Sequence, residues 1–86
     1  MKDARLLLVD DEPQIVRALS PALTAAGFSV LSASRGQEAI SLMAVEPCDA
    51  IILDLGLPDI DGKSVITHLR EWSEIPIIVL SARDLE

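Results

Sequence analysis

Basic residues are scarce in this 86-residue chain: seven Lys and Arg stand against fourteen Asp and Glu, a net charge of −7. A sequence pI near 4.4 argues against direct binding to nucleic acid or to an anionic membrane, since both require a basic footprint. Aromatic residues are equally sparse, with Phe28 and Trp72 alone and no tyrosine, so the stacking platforms of single-strand binders are missing. One cysteine, Cys48, makes neither an internal disulfide nor a thiolate zinc cage, and a reducing, cytoplasmic setting follows as the expectation. The longest wholly apolar runs, such as Ile77 to Leu80, fall far short of a membrane span. Met1-Lys2-Asp3-Ala4-Arg5 leads into a short apolar stretch that ends in acids, which is not the pattern of a signal peptide.

What is abundant is aliphatic. Half the residues are apolar, mostly Ile, Leu, Val and Ala, a mixture that favours one small packed α/β domain over disorder. Two periodicities alternate along the chain. Leu6-Leu7-Leu8-Val9, Ala50-Ile51-Ile52-Leu53 and the near-continuous Ile75-Pro76-Ile77-Ile78-Val79-Leu80 read as strands covered on both faces, and Phe28 to Ala33 as a less buried one. Pro13 suits the first turn of a helix with a stripe of Ile15, Leu19, Ala22, Leu23 and Ala26, bent at Pro21 and closed by Gly27. Ser34 with Gln37 forms a candidate capping box for a second helix that turns Ala39, Ile40 and Met43 inward and stops before Pro47. Asp61 caps a third, with Val65, Ile66 and Leu69 on its inner face. The order βαβαβαβ predicts parallel strands joined by right-handed crossovers, a doubly wound sheet.

In such sheets the ligand site lies beyond the carboxyl ends of the strands, at a topological switch point. Those ends carry Asp10, Asp11 and Glu12, then Asp54, then Ser81. Converging carboxylates repel one another, and either raised pKa values or a bound hard cation such as Mg²⁺ relieves the cost. Capping of the following helix is the alternative reading of Asp10 and Asp11. Asp59 and Asp61 are expected to organise the turn and cap the helix after it, on the same crowded edge. His68 falls off the Val65–Leu69 stripe and reads as a solvated residue. Cys48 reads as a small structural residue, Trp72 as packing, and Arg70 and Arg83 as surface groups.

Leu8-Val9-Asp10-Asp11-Glu12, the stretch from Ile52 to Gly62 (IleLeuAspLeuGlyLeuProAspIleAspGly), and Val79-Leu80-Ser81-Ala82 resemble the receiver domains of two-component response regulators. The likeness runs from residue 5 to residue 84, and the Asp54–Asp59 loop with Trp72 and the Ile-Pro strand is most similar to the potassium-uptake (Kdp-type) winged-helix regulators. The resemblance implies a flavodoxin-like receiver over residues 1–86, with Asp54 as phosphoryl acceptor and a sensor histidine kinase as donor. It also implies a Mg²⁺ site made by Asp10, Asp11, Asp54 and the Gly56 backbone carbonyl, and Ser81 as the switch hydroxyl.

The family pattern continues with a last helix-strand-helix. That segment carries a lysine that contacts the phosphoryl group, an aromatic switch residue and the usual dimer face. None has a counterpart here, nor has a DNA-binding domain, and neither Lys2 nor Lys63 substitutes for the lysine. The expectation is a truncated receiver, βαβαβαβ, impaired in signalling and prone to homo-oligomerise through its fourth strand or another apolar face. Two other readings remain open: a receiver fragment that binds partners without relaying phosphate, and an aspartate-nucleophile phosphohydrolase of the haloacid-dehalogenase type. The second needs a general-acid Asp two residues after the nucleophile, where this chain has Gly56.

Overall fold

The computed structural model describes residues 4–80. Four strands, β1 (Arg5–Val9), β2 (Ser29–Ala33), β3 (Ala50–Leu53) and β4 (Ile77–Val79), alternate with three helices, α1 (Pro13–Ala25), α2 (Gly36–Val45) and α3 (Gly62–Arg70). All strand pairs are parallel, in the order β2-β1-β3-β4. The chain starts in the middle of its sheet, runs first to one side and then to the other. The order therefore reverses between β1 and β3, which is the switch point.

Alternation along each strand sorts the core into two layers. Leu7, Val9, Ile51 and Leu53 point to the side of α2 and α3, where they pack with Ala39, Met43, Val65 and Leu69. Leu6, Leu8 and Ile52 point to the other side, where Val16, Leu19, Leu23 and Phe28 partly cover them.

The expected elements all form, with local differences. The sheet-facing stripe of α1 is Val16, Leu19 and Leu23; Ala22 and Ala26 are exposed. Small alanines on this helix give the sequence pattern two stripes of similar quality, and the bulkier one wins the sheet. α1 continues through Pro21 and ends as expected at Gly27, whose φ of +103° is the left-handed region that favours glycine. The Gly27 amide donates to Thr24 O (3.0 Å) and the Phe28 amide to Leu23 O (3.1 Å), the paired bonds of a Schellman ending. β4 is three residues long where the apolar run suggested six, although the Pro76 carbonyl and the Leu80 amide on either side of it still bond to β3.

Candidate metal and phosphoacceptor site

Three of the four strands, β1, β3 and β4, hand the next residue to a neighbouring strand. The Asp10 amide donates to Ala33 O at the end of β2 (3.0 Å), and the Asp54 amide to Val9 O at the end of β1 (2.9 Å). The Leu80 amide donates to Leu53 O at the end of β3 (2.9 Å). These bonds set Asp10 and Asp54 side by side at the switch point. Both are buried, at 5% and 2% exposure, while Asp11 stands in solvent. One carboxylate oxygen from each of the three lies within 4.8 Å of the others.

Local backbone bonds orient the two buried acids. Asp10 Oδ1 accepts from the Glu12 amide at 2.9 Å, and Asp54 Oδ1 from the Gly56 amide at 3.1 Å. Burial pushes the Asp10 carboxyl above its ordinary value. The charges of Asp54, Glu12 and Asp11 add to that rise, and the bond from Glu12 opposes it. Hard oxygen donors gathered this closely, two of them shielded from water, fit a small divalent cation. A cleft of about 290 Å³ opens beside them, walled by Ile15, Leu19 and Leu80, so the acids face an accessible space.

The sequence places five acids on this edge, and the structure divides them. Asp10, Asp11 and Asp54 converge, as expected. Asp61 caps α3, accepting from the Lys63 amide at 3.2 Å. Asp59 does not serve the helix that follows it: its two carboxylate oxygens accept from the amides of Gly36 (2.8 Å) and Gln37 (2.9 Å) at the start of α2. These bonds hold its carboxyl below the usual carboxylate value, the one from Gln37 foremost. The anticipated Ser34–Gln37 box is absent. Arg35 occupies the cap position without a side-chain bond, and Glu38 reaches back to the Ser34 amide at 3.0 Å. No local pattern announces a cap supplied from 22 residues away.

Ser81 and Arg83 lie outside the described residues. His68 is exposed and Cys48 buried, both as read from the sequence. Burial raises the Cys48 thiol pKa, which suits an inert structural role. Trp72 corrects its expectation: it is 47% exposed rather than packed, because α3 ends at Arg70 and the chain turns outward before β4.

The strand-end acids at a switch point of this sheet coincide with a family match. A model described as response regulator receiver domain matches residues 6–86. The chain belongs to the response regulator receiver family. Among curated relatives, it is 53% identical over 78 residues to the transcriptional regulatory protein KdpE of Mycobacterium tuberculosis, covering 91% of this chain and 34% of that one. It is 48% identical over 81 residues to the KDP operon transcriptional regulatory protein KdpE of Escherichia coli, covering 94% of this chain and 36% of that one. This receiver thus spans about a third of the length of the curated relatives it matches.

Among solved structures, the chemotaxis response regulator CheY4 of Vibrio cholerae superposes with a TM-score of 0.91 at 30% identity. The alignment covers 96% of this chain and 72% of that one. A complex of histidine kinase ThkA with response regulator protein TrrA also aligns, with a TM-score of 0.85 at 36% identity, covering 95% of this chain and 70% of that one. No helix among the described residues is long and apolar enough to cross a membrane.

Proposed function

We propose that this receiver takes a phosphoryl group from the phosphohistidine of a sensor histidine kinase onto Asp54, in the cytoplasm, with Mg²⁺ bound. The observation that carries the reading is the convergence of buried Asp10 and Asp54 with exposed Asp11 within 4.8 Å at the switch point. The kinase complex of a structural neighbour supports the partner class. In the transfer, the histidine N–P bond breaks as an Asp54 Oδ–P bond forms, giving an acyl phosphate that water later cleaves. Asp10, Asp11, Asp54 and the Gly56 carbonyl would hold Mg²⁺, which would supply neutralisation of the charge gathered at the acceptor. The Gly56 amide, bonded to Asp54 Oδ1, orients the acceptor carboxylate.

In this reading the Ser81 hydroxyl detects the new phosphoryl oxygens, and the protein has no enzymatic activity beyond its own phosphorylation and dephosphorylation. Phosphorylation adds a charge of about −1.5 to −2 beside Asp10 and Asp11, so in this reading the transfer depends on the bound cation. A net charge of −7 on this chain supports a regulator whose DNA contacts lie elsewhere.

Intact-mass measurement with Mg²⁺ and a small phosphodonor tests the reading. One phosphoryl adduct on the wild type, lost in Asp54→Ala, is the expected result. A folded protein without adduct replaces it with a receiver that binds partners without relaying, and steady turnover of phosphate esters replaces it with a hydrolase. Exposed Ile78 and Val79 on β4, an edge strand among the described residues, and Leu80 just after it support self-association of the 86-residue chain. Its mass by light scattering should then rise with concentration, and a constant monomer mass overturns that part.

A further inference from the structure

The loop between β3 and α3 carries both the proposed acceptor and the proposed carbonyl ligand, so whatever fixes this loop fixes the cation site. Three main-chain or carboxylate ties do so. Near its start, the Gly56 amide is bonded to Asp54 Oδ1 at 3.1 Å. At its end, the Gly62 amide donates to Leu55 O at 3.1 Å and closes the loop on itself. The third tie leaves the loop altogether: Asp59 receives the first two amides of α2, Gly36 and Gln37, at 2.8 and 2.9 Å. Ile60 seals the same junction, packed so closely on Gly36 that a Cβ there would stand 2.5 Å from its Cγ1.

We propose that Asp59 is a positioning residue for the cation site: by capping α2 from the β3–α3 loop, it holds Gly56 and Asp54 in the arrangement that binds Mg²⁺. This inference rests on the reading of the acidic cluster as a Mg²⁺ site. An ordinary cap comes from the residue before its helix, and its loss frays that helix alone. Here Arg35 holds the cap position with no side-chain bond, and the cap comes from the loop that carries the acceptor. Orphan helix donors and the fixed N-terminal dipole of α2 therefore act as an anchor for the loop. If the anchor is released, the loop samples positions in which the Gly56 carbonyl is withdrawn. The apparent Kd then rises as the competent fraction falls.

Titration of the 86-residue chain with Mg²⁺ alone, followed by calorimetry, tests this with four proteins. Asp59→Ala should weaken Mg²⁺ binding by about fivefold or more, the lower range of typical site-to-site coupling. Asp59→Asn, which keeps an acceptor oxygen in place, should fall between that variant and the wild type. Asp61→Ala is the control, because it removes the cap of α3 two residues away but leaves the tie to α2; its Kd should stay within about twofold. An Asp59→Ala protein that binds Mg²⁺ as the wild type does, or an Asp61→Ala protein that loses as much, overturns the proposal. Where Asp59→Ala does not fold, Asp59→Asn decides: a measurable rise in Kd supports the tie, and a wild-type value overturns it. Failure of the wild type itself to bind Mg²⁺ would instead sink the reading of the site.

Discussion

The two faces of the sheet are made from the same strands and carry nearly the same residue types, yet they are covered very differently. Toward α2 and α3, ten buried residues form one cluster. Among the described residues, the hydrophobic cluster toward α1 holds three buried members, Leu6, Leu8 and Ile52, and α1 itself contributes no buried residue. The difference grows along the sheet: Ile52 is 9% exposed, while Ile78, its partner in β4 on the same face, is 54% exposed. Composition sets how apolar a strand is, but the helices set how much of that apolarity becomes stability. Among the described residues two helices share one face and one helix tends the other, so most of their packing energy lies on one side.

This contrast predicts unequal costs for equal truncations. Leu53→Ala, at a fully buried position of the two-helix face, should cost roughly 2–5 kcal/mol in urea denaturation. Gly27→Ala strains the left-handed ending of α1 and should cost about 1–2 kcal/mol, a backbone effect independent of either face. Ile78→Ala should cost under about 1 kcal/mol, because most of its side chain is already in water. An Ile78 loss matching that of Leu53 would show that the one-helix face is covered in solution, and the contrast would fail.

The smallest effect is expected at the rim where the two faces meet. The native pKa of Asp10 is raised by burial and by its acidic neighbours, so between the ordinary value and the raised one the folded state holds more proton than the unfolded state. Its contribution to stability in Mg²⁺-free buffer therefore declines as pH climbs through that window. Asp10→Asn, which keeps an oxygen for the Glu12 amide, should raise the melting midpoint slightly at neutral pH and flatten that part of the pH profile. A lowered midpoint would mean that the Asp10 charge is already compensated. Asp59 has the opposite sign: its lowered pKa makes its caps fully effective above the ordinary carboxylate value and lost as acid protonates it.

Much of this was legible in the sequence because it rests on short-range pattern. Unbroken aliphatic runs mark the inner strands, Asp61 marks the start of α3 and Gly27 marks the end of α1. The strand-end acids could be placed together because parallel α/β topology fixes which end of every strand carries the site. Asp59 was misassigned because a carboxylate bonds whichever amides the fold presents, and those of α2 lie near in space and far in sequence. The α1 stripe was misdrawn because alanine satisfies either face of a helix. The outward turn of Trp72 depends on where α3 stops relative to β4, which no periodicity encodes.

The amide bonds from Asp10 to β2, from Asp54 to β1 and from Leu80 to β3 give the site a gauge that belongs to the backbone. Parallel strands stand about 4.8 Å apart whatever side chains they carry. The spacing between the two buried acids is therefore inherited from hydrogen-bond register rather than negotiated by packing. Core residues can drift among Leu, Ile and Val without moving the acids, provided no strand slips. A slip of one residue would do the reverse, keeping the composition intact while turning each acid toward the opposite face.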